Sequence, residues 1–203
     1  MMSDLLVIIP AYNEAANIER VVSHLAESFP QYDYIVINDG SRDKTAEICR
    51  RNQFHLLDLP VNLGLSGVFQ AGIRYACEKG YSSVIQFDGD GQHRPEFIGR
   101  MKKKLDEGYD IVIGSRFVNA KKSASLRMLG SRMLSLAIRI TTGAVIHDPT
   151  SGMRMFNRKM MEEFAAGLNY SPEPDTISWL IRRGAKVAEV PVLMDERRAE
   201  RAT

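Results

Sequence analysis

The chain has 203 residues, of which 44% are hydrophobic and 26% charged, as is typical of one soluble globular domain. Its formal net charge is only +2, and no window approaches the ~18 apolar residues that a membrane-spanning helix needs. We therefore expect a single domain over residues 1–203, without a membrane span and without a nucleic-acid partner. The two cysteines, Cys49 and Cys77, lie within helical patterns and indicate inert thiols in a reducing compartment such as the cytoplasm.

Apolar runs and helical patterns alternate along the first half of the chain. The predicted strands are Leu5–Pro10, Tyr34–Asn38, His55–Leu59, Ser83–Phe87 and Ile111–Gly114. The predicted helices between them cover roughly residues 14–28, 43–52, 66–79 and 95–107. Continuous apolar strands that alternate with helices predict an α/β fold, in which a parallel sheet is covered on both faces.

The pattern changes past Gly114. Residues 101–203 contain 18 Lys+Arg and 12 Asp+Glu, whereas residues 1–100 contain 9 and 13, so the second half suits contact with anionic groups. The predicted elements are an amphipathic helix over 124–141, a polar turn and strand over 147–157, helices over 158–167 and 173–183, and a last strand over 186–193.

The segment "IQFDGDGQHRPE" places acidic side chains directly after a buried strand. Alternate residues of an extended segment point the same way, so Asp88 and Asp90 can converge on one point. Their oxygens suit Mg²⁺ or Mn²⁺ held jointly with a substrate phosphate. An EF-hand is excluded, because its sixth and twelfth positions would be His93 and Gly99. The structural alternative is a turn whose acids cap the helix that opens at Pro95.

Two further polar motifs follow predicted strands. In "IIPAYNEAANI", Asn13 is expected to cap the next helix and Glu14 to lie in its first turn. In "VINDGSRDKT", Asp43 is expected to cap a helix, while Asp39 at the strand end is free to accept hydrogen bonds from a base or ribose. Because ligands of open α/β sheets bind beyond the carboxyl ends of the strands, these motifs and "DGDGQH" predict one site. The glycines of "NLGLSGVFQAGI" lack the spacing of a dinucleotide fingerprint.

Candidate phosphate-binding residues occur in the second half. Arg116 ends a strand in "IGSRF", Arg127 and Arg132 lie in a helical pattern, and "HDPTSGMRMF" contains Asp148 and Ser151. Arginine suits phosphate oxygens through its planar fork, although a helix arginine is often only a surface residue. Asp148 before a proline is equally compatible with a turn.

Taken together, "IIPAYNE", "NDGS", "DGDGQHRPE", "GSR" and "DPTSG" resemble, in this order, the family 2 glycosyltransferases of the GT-A fold. The resemblance covers residues 5 to about 194 and is closest to the polyprenyl-phosphate glycosyltransferases, such as the dolichol-phosphate mannose synthases. It implies a mostly parallel central sheet with helices on both faces. It also implies a donor-binding half at about 1–115 and an acceptor-binding half at about 116–203.

The resemblance implies a site for each substrate of an inverting transfer from a UDP- or GDP-sugar. Asp88 and Asp90, with Gln92, would hold Mg²⁺ or Mn²⁺ against the donor diphosphate. The implied donor-binding residues are Pro10, Ala11, Tyr12, Glu14, Ile37, Asp39, Asp88, Gly89 and Asp90. Arg116, Arg127, Arg132 and Ser151 would bind a polyprenyl phosphate, and Asp148 would orient that phosphate or act as a base toward an alcohol.

Other activities stay open at this point. One is transfer to a saccharide or protein hydroxyl in cell-envelope polysaccharide synthesis. A nucleotidyltransferase would show a glycine-rich loop after the first strand, and "PAYNEAANI" has none. A non-catalytic nucleotide-binding module would not need Asp88 and Asp90. The final "MDERRAERAT" lacks the apolar tail of the lipid-linked branch, so either the sequence has been cut before such a tail or membrane attachment comes from elsewhere. We expect a cytoplasmic protein with peripheral contact at the cytoplasmic face of the membrane.

Overall fold

The computed structural model describes residues 3–117, 126–167 and 173–195, with the backbone alone described at 126–129. A seven-stranded sheet runs through its centre. In chain order the strands are β1 (Leu5–Ala11), β2 (Asp33–Asn38), β3 (Leu56–Asp58), β4 (Ser83–Gln86), β5 (Ile111–Ser115), β6 (Arg154–Asn157) and β7 (Val187–Pro191). The spatial order of these strands is β3-β2-β1-β4-β6-β5-β7.

Seven α-helices and one short 3₁₀ turn connect the strands in the described part of the chain. They are α1 (Ile18–Ser28), α2 (Thr45–Arg51), α3 (Gly64–Lys79), the 3₁₀ turn Pro95–Phe97, α4 (Ile98–Asp106), α5 (Leu126–Thr142), α6 (Arg158–Ala166) and α7 (Pro174–Arg182). Each predicted strand and helix is present within a few residues of its predicted bounds. Within 3–117, 126–167 and 173–195, none of the helices is both long enough and apolar enough to cross a bilayer.

The sheet is parallel except at β6, which runs antiparallel to both β4 and β5. The predicted mostly parallel α/β sheet is therefore confirmed. Because β6 runs in the opposite direction, its first residue, Arg154, pairs with Gln86, the last residue of β4. This reversal brings the "DPTSG" loop that precedes β6 to the edge of the sheet where β1, β4 and β5 end.

Helices cover both faces of the sheet, because β1 alternates its side chains between two apolar clusters. Leu6 and Ile8 pack with Phe69, Phe156 and Phe164, whose rings meet edge to face at centroid distances of 5.0–5.5 Å. Leu5, Val7 and Ile9 belong to the cluster on the other face. Burial on both faces explains why the strands are continuously apolar.

The starts of α1 and α2 differ in how far they follow the predicted caps. Asn13 does not cap α1, which begins at Ile18; its backbone lies in the left-handed region (φ 54°), and its Oδ1 accepts the N–H of Arg42 at 2.9 Å. Asp43 does serve the start of α2, since its Oδ1 accepts the N–H of Thr45 at 2.9 Å. The cysteines are free thiols, and burial raises the pKa of Cys49 to about 11, which keeps it unreactive.

Candidate active site

A cleft of about 510 Å³ opens where β1, β2 and β4 end. The structure brings together around it eight of the nine residues predicted for the donor: Pro10, Ala11, Tyr12, Glu14, Asp39, Asp88, Gly89 and Asp90. Ile37 is the exception. Its side chain is fully buried in the core cluster that packs beneath α3, so it does not reach the cleft. The period-two alternation of β2 turns this residue inward.

The "PAYNE" loop forms one wall of the cleft. Tyr12 is 45% exposed there, so its ring offers a surface on which a planar group can stack. Glu14 is nearly buried; its Oε2 accepts from Asn17 at 3.0 Å, and its N–H donates to Thr45 Oγ1 at 2.9 Å. Gly89 also lines the cleft, and it lies so close to Pro10 that a Cβ on it would be 2.9 Å from the Pro10 carbonyl oxygen. Close contacts and hydrogen bonds therefore fix the positions of the "PAYNE" loop and of Gly89.

Asp88 and Asp90 lie at the edge of this cleft, as their alternate spacing predicts. The buried side chain of His93 supports the loop that carries these two acids. His93 is 6% exposed, and its Nδ1 accepts the N–H of Asp88 at 2.9 Å. Burial lowers the pKa of His93, so the ring is neutral and carries its proton on Nε2, 3.5 Å from Asp88 Oδ2. The supporting role of His93 was not predicted, although the residue lies within "DGDGQH".

The side chain of Gln92 contacts the segment that follows β7. Its Nε2 donates to the backbone carbonyl oxygen of Asp195 at 3.3 Å, and the backbone carbonyl oxygen of Gln92 accepts the N–H of Asp195 at 2.9 Å. Arg94 pairs with the Asp195 carboxylate and fixes the same contact. Of the predicted metal ligands, Asp88 and Asp90 line the cleft, whereas the side chain of Gln92 contacts the segment that follows β7, so its role as a third ligand stays a prediction.

Two carboxylates alone suit only a metal site that the substrate completes. Within the described residues, no group of three or more His, Cys, Asp or Glu side chains is arranged to hold an ion. Asp88 and Asp90 nevertheless offer hard oxygen ligands on an open loop. This donor set fits Mg²⁺ or Mn²⁺, which commonly take one or two carboxylates and fill their remaining positions with phosphate oxygens and water.

Asp39 has a structural role that was not predicted. It is 4% exposed, and its Oδ1 and Oδ2 accept the N–H groups of Leu63 and Gly64 at 2.7 and 3.0 Å. Those groups open α3, whose first backbone N–H groups have no partner within the helix. Each carboxylate oxygen can accept a second hydrogen bond, and Asp39 lines the cleft, so its predicted role toward a base or ribose stays a prediction.

Asp148 and Arg116 form a buried ion pair beside the end of β5. Asp148 is fully buried, and its Oδ2 and Oδ1 accept from Arg116 Nε and Nη2 at 2.7 and 2.9 Å. The hydrogen bonds to Asp148 raise the pKa of the Arg116 guanidinium. Glu189 binds the N–H groups of His147 and Asp148 and orders this loop. Asp148 therefore anchors Arg116 and is not open to an acceptor as a base.

The other residues predicted for the acceptor are dispersed. Ser151 is 1% exposed, and its hydroxyl donates to the carbonyl oxygen of Gly114 at 2.5 Å, so it is a structural residue and does not face a ligand. Arg132 lies exposed on α5. The side chain of Arg127, in the first turn of α5, lies outside the described part of the chain. The acceptor cluster of three arginines consequently stays a prediction, in which Arg116 is held by its pair with Asp148.

Sequence reasoning missed a buried cation, Arg154. It is 5% exposed, and its Nη2 donates to the carbonyl oxygen of Pro149 at 2.7 Å. Burial lowers the pKa of Arg154 to about 10, despite attraction from Glu173, Asp148 and Asp88, so the guanidinium stays charged at neutral pH. A charged residue at the start of the short strand "RMFN" was the available signal.

Comparisons with known proteins agree with this architecture. The sequence profile described as Glycosyl transferase family 2 matches residues 6–164. A polyprenol monophosphomannose synthase from Mycolicibacterium smegmatis is 31% identical over 95% of this chain and 77% of its own length. An undecaprenyl-phosphate mannosyltransferase from Micrococcus luteus is 30% identical over 95% of this chain and 84% of its own length.

A solved structure shares the fold. Glucosyl-3-phosphoglycerate synthase from Mycobacterium tuberculosis, in complex with Mn²⁺, UDP and glucosyl-3-phosphoglycerate, superposes with a TM-score of 0.71 and 21% identity. The match covers 97% of this chain and 72% of that one. The fold and family expected from the motifs are confirmed: the chain belongs to glycosyl transferase family 2 and is a glycosyltransferase.

Proposed function

We propose that this glycosyltransferase moves a sugar from a UDP- or GDP-sugar to a polyprenyl phosphate, with inversion and with the help of Mg²⁺ or Mn²⁺. The observation that carries the proposal is the convergence of Asp88 and Asp90 on the cleft at the ends of β1, β2 and β4. The named activities of the mycobacterial and micrococcal relatives support a polyprenyl-phosphate acceptor. The Mn²⁺ and UDP of the structural neighbour support the kind of donor.

The donor half of the site is built from residues 1–115. Asp88 and Asp90 would hold the cation, and Tyr12 would border the nucleotide. When bound, a divalent cation neutralises the charge that develops on the departing nucleotide diphosphate. The protein itself supplies two carboxylates at a fixed spacing, held by the buried His93 and by the tight Pro10–Gly89 contact.

The acceptor half is assigned to residues 116–203, and its chemistry favours an anionic acceptor. A hydroxyl acceptor needs a carboxylate base, and Asp148 is buried and engaged by Arg116. A phosphate is already ionised near neutral pH, so it needs orientation by cations more than a base. Arg116 keeps 28% of its side chain exposed and is fixed by Asp148, which suits it to orient such a group. Arg127 and Arg132 are the proposed further cations.

Contact with a lipid surface is a further part of the proposal. On α5, Met133, Leu136 and Ile140 are 66%, 56% and 75% exposed and recur every three or four residues on one face. Arg132 and Arg139 are exposed beside them, and the helix contains no acidic residue. An apolar stripe with flanking cations suits peripheral contact with anionic lipids, here at the cytoplasmic face of the membrane. A membrane-held acceptor would then reach the site from the α5 side.

The direct test is transfer of a radiolabelled sugar from UDP- and GDP-sugars to dolichyl or undecaprenyl phosphate in detergent micelles. The proposal predicts that a lipid-linked product forms only with Mg²⁺ or Mn²⁺ and does not form in the presence of EDTA. The anomeric configuration of the transferred sugar should be inverted relative to the donor. Parallel reactions with saccharide acceptors provide the comparison. Transfer to saccharides at undiminished rates, with none to lipid phosphate, would replace the acceptor named here by a hydroxyl group.

A further inference from the structure

Arg154 is the buried charge that neither the fold nor the proposed chemistry yet explains. It begins β6, a short strand in the middle of the sheet, and only 5% of it is exposed. Its Nη2 has a partner in the carbonyl oxygen of Pro149, but its Nε is buried without a hydrogen bond. A buried cation without a direct ion pair is unfavourable for folding, and an apolar side chain of similar volume commonly serves stability better. Packing alone therefore gives no reason for an arginine here.

The surroundings of Arg154 connect it to the donor site. Its cross-strand partner in β4 is Gln86, and the Nε2 of Gln86 lies 3.5 Å from Asp88 Oδ1. The Oε1 of Gln86 is also buried without a partner. Gly152, two residues before Arg154, lies so close to Asp88 that a Cβ would approach its Oδ2 to 2.5 Å. Gln86 and Gly152 thus connect the strand position of Arg154 to the carboxylate of Asp88.

Three carboxylates attract this buried cation. Glu173, Asp148 and Asp88 all attract it, and Asp148 is already neutralised by its own pair with Arg116. Asp88 is different, because it has no arginine or lysine partner among the described ion pairs and its side chain is 35% exposed toward the cleft. Arg154 is therefore a buried positive charge whose field reaches Asp88, a carboxylate at the cation-binding edge.

We propose that Arg154 is a positioning residue that sets the charge of the Asp88–Asp90 edge, so that a divalent cation binds together with the donor diphosphate and poorly alone. This inference rests on the donor half of the proposed function. A fixed cation near the site repels a free divalent ion and attracts a diphosphate, and its field is screened little on the protein side because Arg154 itself is buried.

The test measures the affinity for free Mn²⁺ and the affinity for a nucleotide diphosphate, which should change in opposite directions when the charge of Arg154 is removed. It needs no transfer reaction. Mn²⁺ alone is titrated and followed by electron paramagnetic resonance, and UDP and GDP are titrated without metal by calorimetry. In Arg154→Met, free Mn²⁺ should bind about tenfold more tightly and the nucleotide diphosphate about tenfold more weakly, as expected for loss of one nearby buried charge. The melting temperature should stay within about 4 °C of the wild type, or rise.

Three further variants separate charge from structure. Arg154→Gln also removes the charge but keeps an N–H donor for Pro149, so it should shift both constants as Arg154→Met does, and it carries the test if the methionine variant does not fold. Arg154→Lys keeps the charge and should leave both constants within about twofold of the wild type. Arg183→Met removes an exposed arginine that pairs with Glu163 and should change neither.

The outcomes distinguish this inference from the proposed function. If both affinities fall together in the charge-removing variants, or if Arg154→Lys behaves as they do, Arg154 is only structural and the inference is overturned. If the wild type binds neither Mn²⁺ nor a nucleotide diphosphate, the proposed donor site itself has failed, and the inference falls with it.

Discussion

The guanidinium of Arg116 donates hydrogen bonds to both carboxylate oxygens of Asp148, and the backbone N–H of Arg116 donates a third to Oδ2 at 3.1 Å. Asp148 is fully buried, whereas 28% of the Arg116 side chain is exposed. The two partners are therefore unequal: without Arg116 the carboxylate is left buried, but without Asp148 the guanidinium can turn toward water.

This inequality predicts an order of stabilities. Arg116→Ala should lower the free energy of unfolding by about 3 kcal/mol, because it leaves an uncompensated buried carboxylate. Asp148→Asn should cost less, since the amide stays hydrogen-bonded and Arg116 can rehydrate. Urea denaturation of both variants measures the difference. An Asp148→Asn variant that is the less stable of the two would contradict the burial argument.

Asp39 should matter first for folding. Its two oxygens hold the N–H groups of Leu63 and Gly64, so Asp39→Ala should destabilise the protein by about 1–2 kcal/mol, as loss of a charged helix-start partner does. Asp39→Asn keeps one acceptor and should recover about half of that. Chemical denaturation gives both values. Wild-type stability in Asp39→Ala, combined with weakened nucleotide binding, would contradict the structural role and leave Asp39 only as a direct donor ligand.

Gly152 is predicted to protect the position of Asp88. Gly152→Ala would place a Cβ 2.5 Å from Asp88 Oδ2, and the carboxylate must move because it is the free end of a side chain. Mn²⁺-dependent nucleotide binding should weaken at least about tenfold, while stability changes by less than about 1 kcal/mol.

The matched control is Gly130→Ala in α5, where a Cβ would meet nothing within 4 Å. It should leave nucleotide binding unchanged and raise stability by about 0.5–1 kcal/mol, because alanine is the better helix residue. Equal effects of the two alanines on binding would show that Asp88 tolerates displacement.

The apolar face of α5 should govern lipid contact. Replacing Met133 and Ile140 together by glutamine removes two large exposed apolar side chains and should reduce binding to vesicles of phosphatidylcholine and phosphatidylglycerol about tenfold or more. Stability should not fall, since both side chains are exposed. Val61→Gln, an equally exposed position outside α5, is the control for cosedimentation. Unchanged vesicle binding by the α5 double variant would remove this face from the proposal.

The parts of the site that sequence predicts are those whose geometry is local. Asp88 and Asp90 share a direction because they are two residues apart in an extended loop, and the strand ends follow from apolar runs. The contacts that the sequence does not predict join residues that lie far apart along the chain. Asp39 binds N–H groups 24 and 25 residues away, and Gln92 binds Asp195 across 103 residues. No pattern within a motif reveals such contacts.

The antiparallel direction of β6 accounts for the difference between the predicted and the observed surroundings of Asp148 and Ser151. An apolar strand has the same appearance in either direction, so "RMFN" predicts a strand but not its reversal. That reversal sets Arg154 opposite Gln86 and puts the "DPTSG" loop beside Arg116, which occupies Asp148 and buries Ser151. The predicted roles of Asp148 and Ser151 therefore depended on a topology that their own motif does not contain.

The central claim is that Asp88 and Asp90 hold a divalent cation against the donor diphosphate. The most direct measurement is the Mn²⁺ dependence of nucleotide-diphosphate affinity, by calorimetry with whichever of UDP and GDP binds better, in the wild type and in Asp90→Asn. Asparagine keeps the size of the side chain but removes its charge, and the loop loses no core packing. We predict that saturating Mn²⁺ raises the affinity of the wild type at least about tenfold, or about 1.4 kcal/mol, and leaves that of Asp90→Asn unchanged. The same Mn²⁺ dependence in both proteins would contradict the claim.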